Sequence, residues 1–581
     1  MAANLSASFV RSMCIGEIEE EILFPYPKLK EGEKEILKTI HDSVSSWLKS
    51  KQGEFRKWDK KGELPTEIIE EMKQMGLFGV IIPEEFGGMG LSTIAYQRLI
   101  SELAQYDGSL LITMAAHSSI GMKGLLLFGT QEQKQKYLPK LATGEMIAAY
   151  CLTEAGAGSD AASIKTKAVR DGDDWILNGE KIWITNGGIA DFFTVFAATD
   201  TPEGKITGFI VTRDMKGVTS GPHEDKMGLR ASSTTTVNFE NVRVPKENVL
   251  GEVGKGFKTA VRILNHGRTG GLGGGCVGVM KKCIALATKQ AKIRKQFGKS
   301  ISEFGLMKKK IGQMVVDCYA TESVVTIVSS LIDAGYEDYA VEAAISKIFA
   351  SEALWRTTDE ALQIAGGNGF MSEYPYEQLM RDARVNRIFE GTNEVLSLFV
   401  ALTAMKDAVD QLKELRGVVG NIGGVFKDPI KGFGVLKDYA RMHVATRTKY
   451  GRPSFTKVHP ALHATATLFE EEMQSLVRAV DTILRKHGKN IIGKQFATSR
   501  LAAIMGDMFV LACVLSRVSQ SLEEKGTEGA KNEVAILNTF AFQAKRRMRE
   551  SYKQIDMNVD EEIKELADFV TNEEKFTWDI L

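Results

Sequence analysis

The sequence has no excess of charge of either sign. Its 74 lysine and arginine residues are matched by 74 aspartate and glutamate residues, so the formal net charge is zero. Without a global positive field the chain has no preference for phosphate backbones, and we expect no nucleic-acid partner. Cysteine is also scarce, with six residues in 581 and no Cys-x-x-Cys pair. This usage predicts buried, reduced thiols in an intracellular protein.

We also expect no segment that would target or anchor the chain. No uninterrupted apolar run reaches the roughly 18 residues that a membrane-spanning helix needs. Met1–Ser12 has one arginine and no acidic residue but lacks the apolar stretch of a signal peptide, so we expect no cleaved signal. The eight histidines are scattered without metal-ligand spacing, and we expect no metal site.

Two glycine patterns are similar to dinucleotide-binding loops, but their context argues against that function. Gly273–Gly278 fits G-x-G-x-x-G, yet it follows a helical pattern instead of a strand. Gly156–Ala161 fits G-x-G-x-x-A, yet an alternating β pattern follows it where a helix is required. Neither lies in a βαβ unit, so the sequence predicts no Rossmann domain.

The apolar periodicity divides the chain into four parts. The length of the chain suggests about three or four domains, which agrees with this division. Residues 31–148 have helical spacing. The period changes to two over 149–255, with Asp171-Gly172 and Asn178-Gly179 as predicted hairpin turns. Helical spacing returns over 256–405, interrupted by a glycine loop at 366–370, and 406–581 form a further helical block. The sequence therefore predicts an α+β fold with a central antiparallel β domain.

One stretch, Arg384–Glu394, places a carboxylate beside bulky apolar residues. Ile388 and Phe389 precede Glu390 and would exclude water, while Gly391 would let a ligand or backbone approach closely. A carboxyl group in an apolar pocket has a raised pKa, which suits a general base near neutral pH. The alternative is that Glu390 belongs to the start of the apolar helix that follows.

A loop in the β region could accommodate a flat heteroaromatic ring. Tyr150–Asp160 offers backbone N–H groups, hydroxyls and glycines, and Trp183–Thr185 adds an indole face and another hydroxyl. The alternative is a surface loop together with a core tryptophan.

Five separated motifs occur together in this chain. They are Tyr150–Asp160, Trp183–Asn186, Arg294–Lys299, Gln363–Gly369 and Arg387–Thr392. In this order they resemble the acyl-CoA dehydrogenase family over about 31–405. The C-terminal block and the segment Phe24–Pro27 resemble the very-long-chain branch of that family. The resemblance implies an N-terminal helical domain, a central β domain, a C-terminal four-helix bundle and an extra C-terminal helical domain.

The resemblance also implies FAD as the cofactor. The residues that it places at the flavin within one subunit are Tyr150, Thr153, Gly158, Ser159, Trp183, Thr185, Thr392 and Glu394. Those that it directs to the FAD of a neighbouring subunit are Arg294, Gln296, Gln363, Gly366 and Gly367. A cofactor site shared between two chains implies a homodimer.

The implied reaction is α,β-dehydrogenation of a long or very long acyl-CoA in fatty acid β-oxidation. Glu390 would take the C2 proton while C3 gives a hydride to flavin N5. Some branches carry the base at the position of Gly267, which cannot serve, so the resemblance leaves Glu390 as the base. On the substrate side it implies Ser159, Asn265, Arg268, Gly391, Ala115 and Ala116. Arg268 could instead form a bundle salt bridge, and the alanines could reflect close packing instead of a deep cavity.

The implied electron acceptor is an electron-transferring flavoprotein. An acyl-CoA oxidase and a family member with an added role in respiratory-complex assembly are the alternatives. Residues 417–457 combine a glycine-rich apolar stretch with a basic one, which suits either a membrane surface or a solvated loop. We expect a bacterial cytoplasmic protein with peripheral inner-membrane association, or a protein on the matrix side of the mitochondrial inner membrane.

Overall fold

The computed structural model describes residues 5–202, 204–410, 413 and 453–579. Most of the 417–457 segment, for which a membrane surface was one interpretation, lies outside these residues. The chain forms two compact units, one of residues 1–6 and 22–396 and one of residues 7–21 and 397–581. The division into domains at 31–148, 149–255, 256–405 and 406–581 stays a proposal.

Helices form the part of the first unit that precedes the sheet, as predicted. They are α2 (Glu31–Ser50), α3 (Phe55–Lys61), α4 (Thr66–Gln74), α5 (Thr93–Leu103), α6 (Gly108–Ala115), α7 (Lys123–Phe128) and α8 (Gln131–Thr143), after the short α1 (Phe9–Cys14) of the second unit. In α2 the buried residues Leu37, Val44 and Leu48 lie on one stripe. Between α6 and α7 the chain makes a π-helical turn, Ala116–Gly121. This turn faces the site described below.

One mixed, mainly antiparallel sheet follows. Its strands are β1 (Ala148–Cys151), β2 (Lys167–Asp171), β3 (Asp174–Thr185), β4 (Phe192–Thr201), β5 (Gly204–Thr212), β6 (Val218–Ser220), β7 (Thr234–Val244) and β8 (Val249–Leu250). The order is β6-β7-β3-β2-β4-β5-β8, with β1 pairing parallel to β4. Asp171 and Asp174 pair across the first predicted hairpin, which is confirmed.

The second predicted hairpin, at Asn178-Gly179, is wrong. Both residues lie inside β3, where the pairing with β7 shifts register between Leu177 and Gly179. A Cβ at Gly179 would lie 2.7 Å from the Cα of Thr166. The glycine therefore marks a bulge where two backbones approach closely.

The bundle helices are long. They are α9 (Gly256–His266), α10 (Gly274–Ile293), α11 (Gly305–Asp333), α12 (Ala340–Ala365), α13 (Gly367–Phe370), α14 (Tyr376–Arg384) and α15 (Asn393–Ala404), with a β9 (Lys295–Gln296) and β10 (Lys299–Ser300) hairpin after α10. A π-helical segment, Gly267–Gly273, joins α9 to α10. The Gly273–Gly278 pattern is thus helical, as its context indicated. Part of the predicted 366–370 loop is the short helix α13.

The described part of the second unit contains four further helices. They are α16 (His463–His487), α17 (Gln495–Gly529), α18 (Lys531–Asp556) and α19 (Asp560–Glu573). The first three correspond to the predicted helical block. The acidic α19 was not predicted, because nine of its 14 residues are polar and its apolar stripe is weak. All six cysteines of the chain are free and buried, which confirms the prediction from their usage.

Among the described residues, three helical stretches are long and apolar enough to cross a membrane by length and composition. They are Gly108–Phe128, Gly305–Asp333 and Gln495–Gly529. The sequence analysis did not predict them, because scattered polar residues interrupt each apolar run. Between 67% and 78% of each apolar window is buried within the protein, so packing already accounts for their composition.

A buried ion pair fixes the loop that follows β1. Lys181 on β3 is fully buried, and its Nζ donates to Glu154 Oε1 at 2.7 Å and to the Leu152 carbonyl at 3.0 Å. Glu154 also accepts the backbone N–H groups of Lys165 and Thr166. Every polar atom of the pair therefore has a partner, which a buried charge requires.

We predict that Lys181→Met lowers the free energy of unfolding by about 3–5 kcal/mol, because it leaves the Glu154 carboxylate buried without its cation. Adding Glu154→Gln should recover part of that loss. Chemical denaturation would measure both. Lys246→Met, which breaks the exposed contact with Asp173, is the matched control and should change little. Equal losses in Lys181→Met and the control would contradict the prediction.

Candidate active site

Glu390 lies on a strained turn ahead of α15. Its φ is 55° and that of Gly391 is 92°, so two consecutive residues adopt left-handed backbone conformations. The helix begins three residues later at Asn393, and Thr392 Oγ1 accepts the N–H of Val395 at 3.3 Å. Thr392 therefore caps the helix start, and Glu390 lies two residues before it, in the region that the alternative interpretation assigned to the helix start. A non-glycine residue held at positive φ is typical of a functional position.

Two cations hold this turn by its carbonyl groups. Arg268 Nε donates to the Glu390 carbonyl at 3.0 Å, and Lys347 Nζ donates to the Gly391 carbonyl at 2.8 Å. Lys347 also donates to Asn393 Oδ1 at 2.8 Å, and Arg268 Nη1 donates to Asn265 Oδ1 at 2.8 Å. Arg268 thus binds a carbonyl and an amide, and the predicted alternative of a bundle salt bridge is not what its hydrogen bonds show.

The Glu390 carboxyl group itself has no partner. Its Oε2 is buried and accepts no hydrogen bond from the described residues. Burial raises the pKa of Glu390 to about 7, although the charges of Arg268 and Lys347 oppose that rise. Burial likewise lowers the pKa of Lys347 to about 8, with Glu390 acting against the change. A carboxyl group with this pKa can accept a proton near neutral pH.

Gly267 makes room for this carboxyl group. A Cβ at that position would lie 2.9 Å from Glu390 Oε1, 3.2 Å from Oε2 and 2.7 Å from Ile120 Cγ2. The space on the helix beside the carboxylate is therefore closed to any side chain. Gly267 has no side chain that could act as a base, and the lack of space beside Glu390 is a second, steric reason why this position cannot carry one.

An elongated cavity of about 960 Å³, its open end included, begins at Glu390. Three walls enclose it: the stretch from Ala104 to Ile120, the helix from Gly271 to Lys282, and the chain from Pro375 to Phe389. Ala115 and Ala116 both line it, so they border open space. Its lining beside Glu390 is largely apolar, with Ile120, Leu272 and Phe389 among the residues.

The loop after β1 presents an exposed aromatic face. Ile182 N donates to the Thr153 carbonyl at 3.0 Å, which joins this loop to β3. Trp183 is 63% exposed and has a φ of 55°, so the alternative of a core tryptophan is wrong. Gly158 and Ser159 are exposed, and Thr153 and Thr185 are half-buried. Tyr150 is buried, with its hydroxyl donating to the Ala260 carbonyl at 3.2 Å.

The remaining predicted cofactor residues lie on the surface of the single chain. Those that are exposed are Arg294, Gln296, Gln363, Gly366, Gly367 and Glu394. Cβ atoms at Gly366 and Gly367 would meet nothing within 4 Å. Arg294 precedes β9 and Gln296 ends it, in the β9–β10 hairpin, whose tip residue Phe297 is 94% exposed.

Four residues of the site were not found from the sequence: Lys181 and Glu154 behind the loop, and Lys347 and Asn393 behind Glu390. Lys347 had a detectable signal. It lies within Ala343–Ile348, on the buried face of a helix, where an unpaired lysine is rarely found. Asn393 had none, because a polar residue at a helix start is ordinary.

Four family models match the chain. They are the N-terminal domain of acyl-CoA dehydrogenase over 33–145, its middle domain over 149–242, its C-terminal domain over 254–405, and the ACAD9/ACADV C-terminal domain over 460–576. The chain therefore belongs to the acyl-CoA dehydrogenase family, which makes it an oxidoreductase and confirms the resemblance and the predicted fold class.

Individual relatives agree with this assignment. The chain is 44% identical over 562 residues to the human very long-chain specific acyl-CoA dehydrogenase of mitochondria, covering 94% of this chain and 84% of that protein. An acyl-CoA dehydrogenase from Bacillus anthracis, complexed with FAD, matches at 31% identity with a TM-score of 0.78, covering 98% and 96%. A chain solved in work on the electron transferring flavoprotein of Acidaminococcus fermentans matches at 38% identity with a TM-score of 0.62, covering 65% and 99%.

We predict that Gly267→Ala lowers turnover of acyl-CoA by at least about tenfold, since the new Cβ displaces the carboxyl group and a shift of about 1 Å at a reacting group is costly. Steady-state kinetics would measure the loss. Gly312→Ala is the matched control, because a Cβ there meets nothing within 4 Å on an exposed turn of α11. Full activity in Gly267→Ala would show that the carboxyl position is not critical.

Proposed function

We propose that the chain dehydrogenates long or very long acyl-CoA thioesters at C2–C3 to trans-2-enoyl-CoA, as a step of fatty acid β-oxidation, with FAD as cofactor and Glu390 as base. The observation that carries this proposal is the carboxyl group of Glu390, which lies at one end of the cavity and has no hydrogen-bond partner for Oε2 among the described residues. Membership of the family supports the reaction class and the cofactor.

Glu390 accepts the C2 proton at Oε2, the oxygen that has no hydrogen-bond partner among the described residues. Arg268 and Lys347 prevent the turn from rotating, since they bind the carbonyl groups on either side of the Cα of Gly391. Ile120 and Phe389 exclude water from the carboxyl group, which keeps its pKa in the working range. On the substrate side we propose Ser159, Asn265, Arg268 and Gly391, together with Ala115 and Ala116 on the cavity wall.

The residues present fit FAD. An indole exposed by 63% next to hydroxyls and bare glycine backbone suits a planar ring, and two glycines with open space suit a diphosphate. We propose that Tyr150, Thr153, Gly158, Ser159, Trp183, Thr185, Thr392 and Glu394 hold it from one subunit. Arg294, Gln296, Gln363, Gly366 and Gly367 would serve the partner's site. When bound, FAD supplies the acceptor for the hydride from C3.

The length of the cavity supports a long acyl chain. Gly267 lies beside Glu390, and Lys282, at the other end of the cavity, is fifteen residues further along the helix. That separation corresponds to about 22 Å at 1.5 Å per residue. An extended chain advances about 1.2 Å per bond, judged from the span of polypeptide backbone. This length supports our proposal of an acyl chain of roughly 16 to 20 carbons as substrate.

The proposed partners are a second copy of the chain and an electron-transferring flavoprotein. The exposed Phe297 and Phe370 support a homodimer, since apolar side chains exposed by 94% and 77% are typical of interfaces. Oxidation by molecular oxygen is the alternative, and peroxide release in the absence of an acceptor would show it.

The name of the human relative supports an intracellular, mitochondrial location over the bacterial cytoplasm.

We predict that Glu390→Gln lowers kcat by at least about 10²–10⁴-fold, the usual contribution of a general base. Flavin bleaching by acyl-CoA under anaerobic conditions would measure the first half-reaction directly. As the control for folding, the purified Glu390→Gln variant should retain the absorbance of bound FAD. Bleaching at the wild-type rate would refute the assignment of the base.

We predict that kcat/KM of the wild-type enzyme falls tenfold per pH unit below about pH 7, since Glu390 with its raised pKa must be deprotonated to act. Lys347→Met should move this midpoint to higher pH, because it removes a charge that favours the carboxylate. A pH profile of kcat/KM would test both. An unmoved midpoint in the variant would argue that another group titrates.

We predict that Ala116→Phe reverses the chain-length preference, because a large side chain would obstruct the cavity near Glu390. Relative to wild type, kcat/KM should fall at least about tenfold for 16-carbon substrates and less for 4-carbon ones. Ala116→Ser, of similar volume, is the control. Wild-type activity confined to acyl chains of about eight carbons or fewer would contradict the proposed substrate class.

A further inference from the structure

The cavity changes character at the end far from Glu390. The six polar residues that line it there are Gln105, Tyr106, Asp107, Lys282, Gln378 and Asp382, and we call this group the polar end. Near Glu390 the lining is mostly apolar. Asp107 and Asp382 are buried and the other four are half-buried, so a ligand that fills the cavity meets polar groups at this end.

The two carboxylates of the polar end each keep an oxygen available. Asp107 is buried, and its Oδ1 accepts the N–H groups of Ser109 and Leu110, both at 2.9 Å. Asp382 is also buried, and its Oδ1 accepts the N–H of Leu229 at 2.6 Å. In the described part of the chain neither Oδ2 accepts a hydrogen bond, so each could accept one from a ligand in the cavity. Burial raises the pKa of Asp107 to about 6 and that of Asp382 to about 7.

The donor of the polar end is Lys282. Its Nζ lies 5.6 Å from the ring centroid of Tyr106 and makes no hydrogen bond or ion pair with any residue that the structure describes. Burial lowers the pKa of Lys282, which shows that its ammonium group is partly shielded from water. The polar end thus offers one cationic donor and two acceptors to whatever group reaches it.

We propose that the polar end binds a hydroxyl group carried at or near the far end of the acyl chain, so that hydroxyl-terminated long acyl-CoA thioesters are substrates of this enzyme. A hydroxyl both donates and accepts, which matches an ammonium group together with carboxylates. A terminal carboxylate fits less well, because it would add a third negative group beside Asp107 and Asp382. This inference rests on the proposed function and extends it to a substrate class.

The position of the polar end makes the preference for a hydroxyl group depend on the length of the acyl chain. Gly275 is eight residues beyond Gly267, so a chain about 12 Å long ends near Gly275, Leu111 and Cys276. A hydroxyl placed there would be buried without a partner. Only a chain of about 18 carbons brings its terminus to Lys282. The effect of a terminal hydroxyl group on kcat/KM must therefore change with the length of the acyl chain.

The experiment measures kcat/KM of the FAD-loaded enzyme for methyl-, hydroxyl- and carboxyl-terminated acyl-CoAs of 12, 16, 18 and 20 carbons. We expect the hydroxyl-to-methyl ratio to be about 0.1 or lower at 12 carbons, from burial of an unpaired hydroxyl, and to reach about one or more at 18. Carboxyl-terminated chains should be poorer than hydroxyl-terminated ones at 18. A ratio independent of length, or a preference for the carboxylate, would overturn the inference.

Lys282→Met tests the donor, with Lys289→Met, on an exposed position of the same helix, as the matched control. The 18-carbon ratio should fall about tenfold in Lys282→Met and stay at the wild-type value in Lys289→Met. Tyr106→Phe gives a second, milder test that keeps the ring. Equal ratios in Lys282→Met and the control would overturn the role of Lys282. If no methyl-terminated acyl-CoA bleaches the flavin, the proposed function itself fails, which is distinct from an unchanged ratio.

Discussion

The active site depends on two hydrogen bonds made to backbone carbonyls, from Arg268 to Glu390 and from Lys347 to Gly391. They hold two consecutive residues at positive φ, a conformation that costs of order 1–3 kcal/mol for a non-glycine residue. Because the cations bind the main chain, Oε2 of the carboxyl group is left without a hydrogen-bond partner among the described residues. Had either cation bound the carboxylate instead, its pKa would be low and it would be a poor base.

This arrangement places charged side chains in the protein interior, and the surrounding residues satisfy their hydrogen bonds. Lys347 is fully buried, and Asn393 Oδ1 and the Gly391 carbonyl accept its hydrogen bonds. Asn393 is in turn held by donating to Ser351 Oγ at 3.0 Å and Glu352 Oε1 at 2.8 Å. The opposite pKa shifts of Glu390 and Lys347 have one cause, since burial disfavours the charged form of each. Burial outweighs their mutual attraction, so both groups titrate closer to neutral pH.

The sequence predicted the order of helical and β regions and the residue at the centre of the site, because periodicity and motif spacing are local properties. It did not reveal the features that depend on which residues, far apart in the sequence, lie close together in the fold. The bulge at Gly179 has the same Asn-Gly dipeptide as a hairpin turn, and only the proximity of Thr166 distinguishes the two. Lys347 is 43 residues from Glu390 in sequence, and nothing in the local pattern states which turn its ammonium group binds.

The glycines between Gly267 and Gly278 show why a motif can mislead. Each glycine in a helix interior costs roughly 0.5–1 kcal/mol relative to alanine, so a run of them requires a compensating gain. Here the gain is close approach: a Cβ at Gly278 would lie 2.1 Å from the Ser101 carbonyl oxygen, and one at Gly275 would lie 2.9 Å from Leu111 Cδ2. The glycines on one face therefore let α5 pack against the helix, while Gly271 and Gly275 border the cavity. The same run that is similar to a phosphate-binding loop thus borders the cavity beside Glu390, and substitutions along it should alter the cavity and the helix packing together.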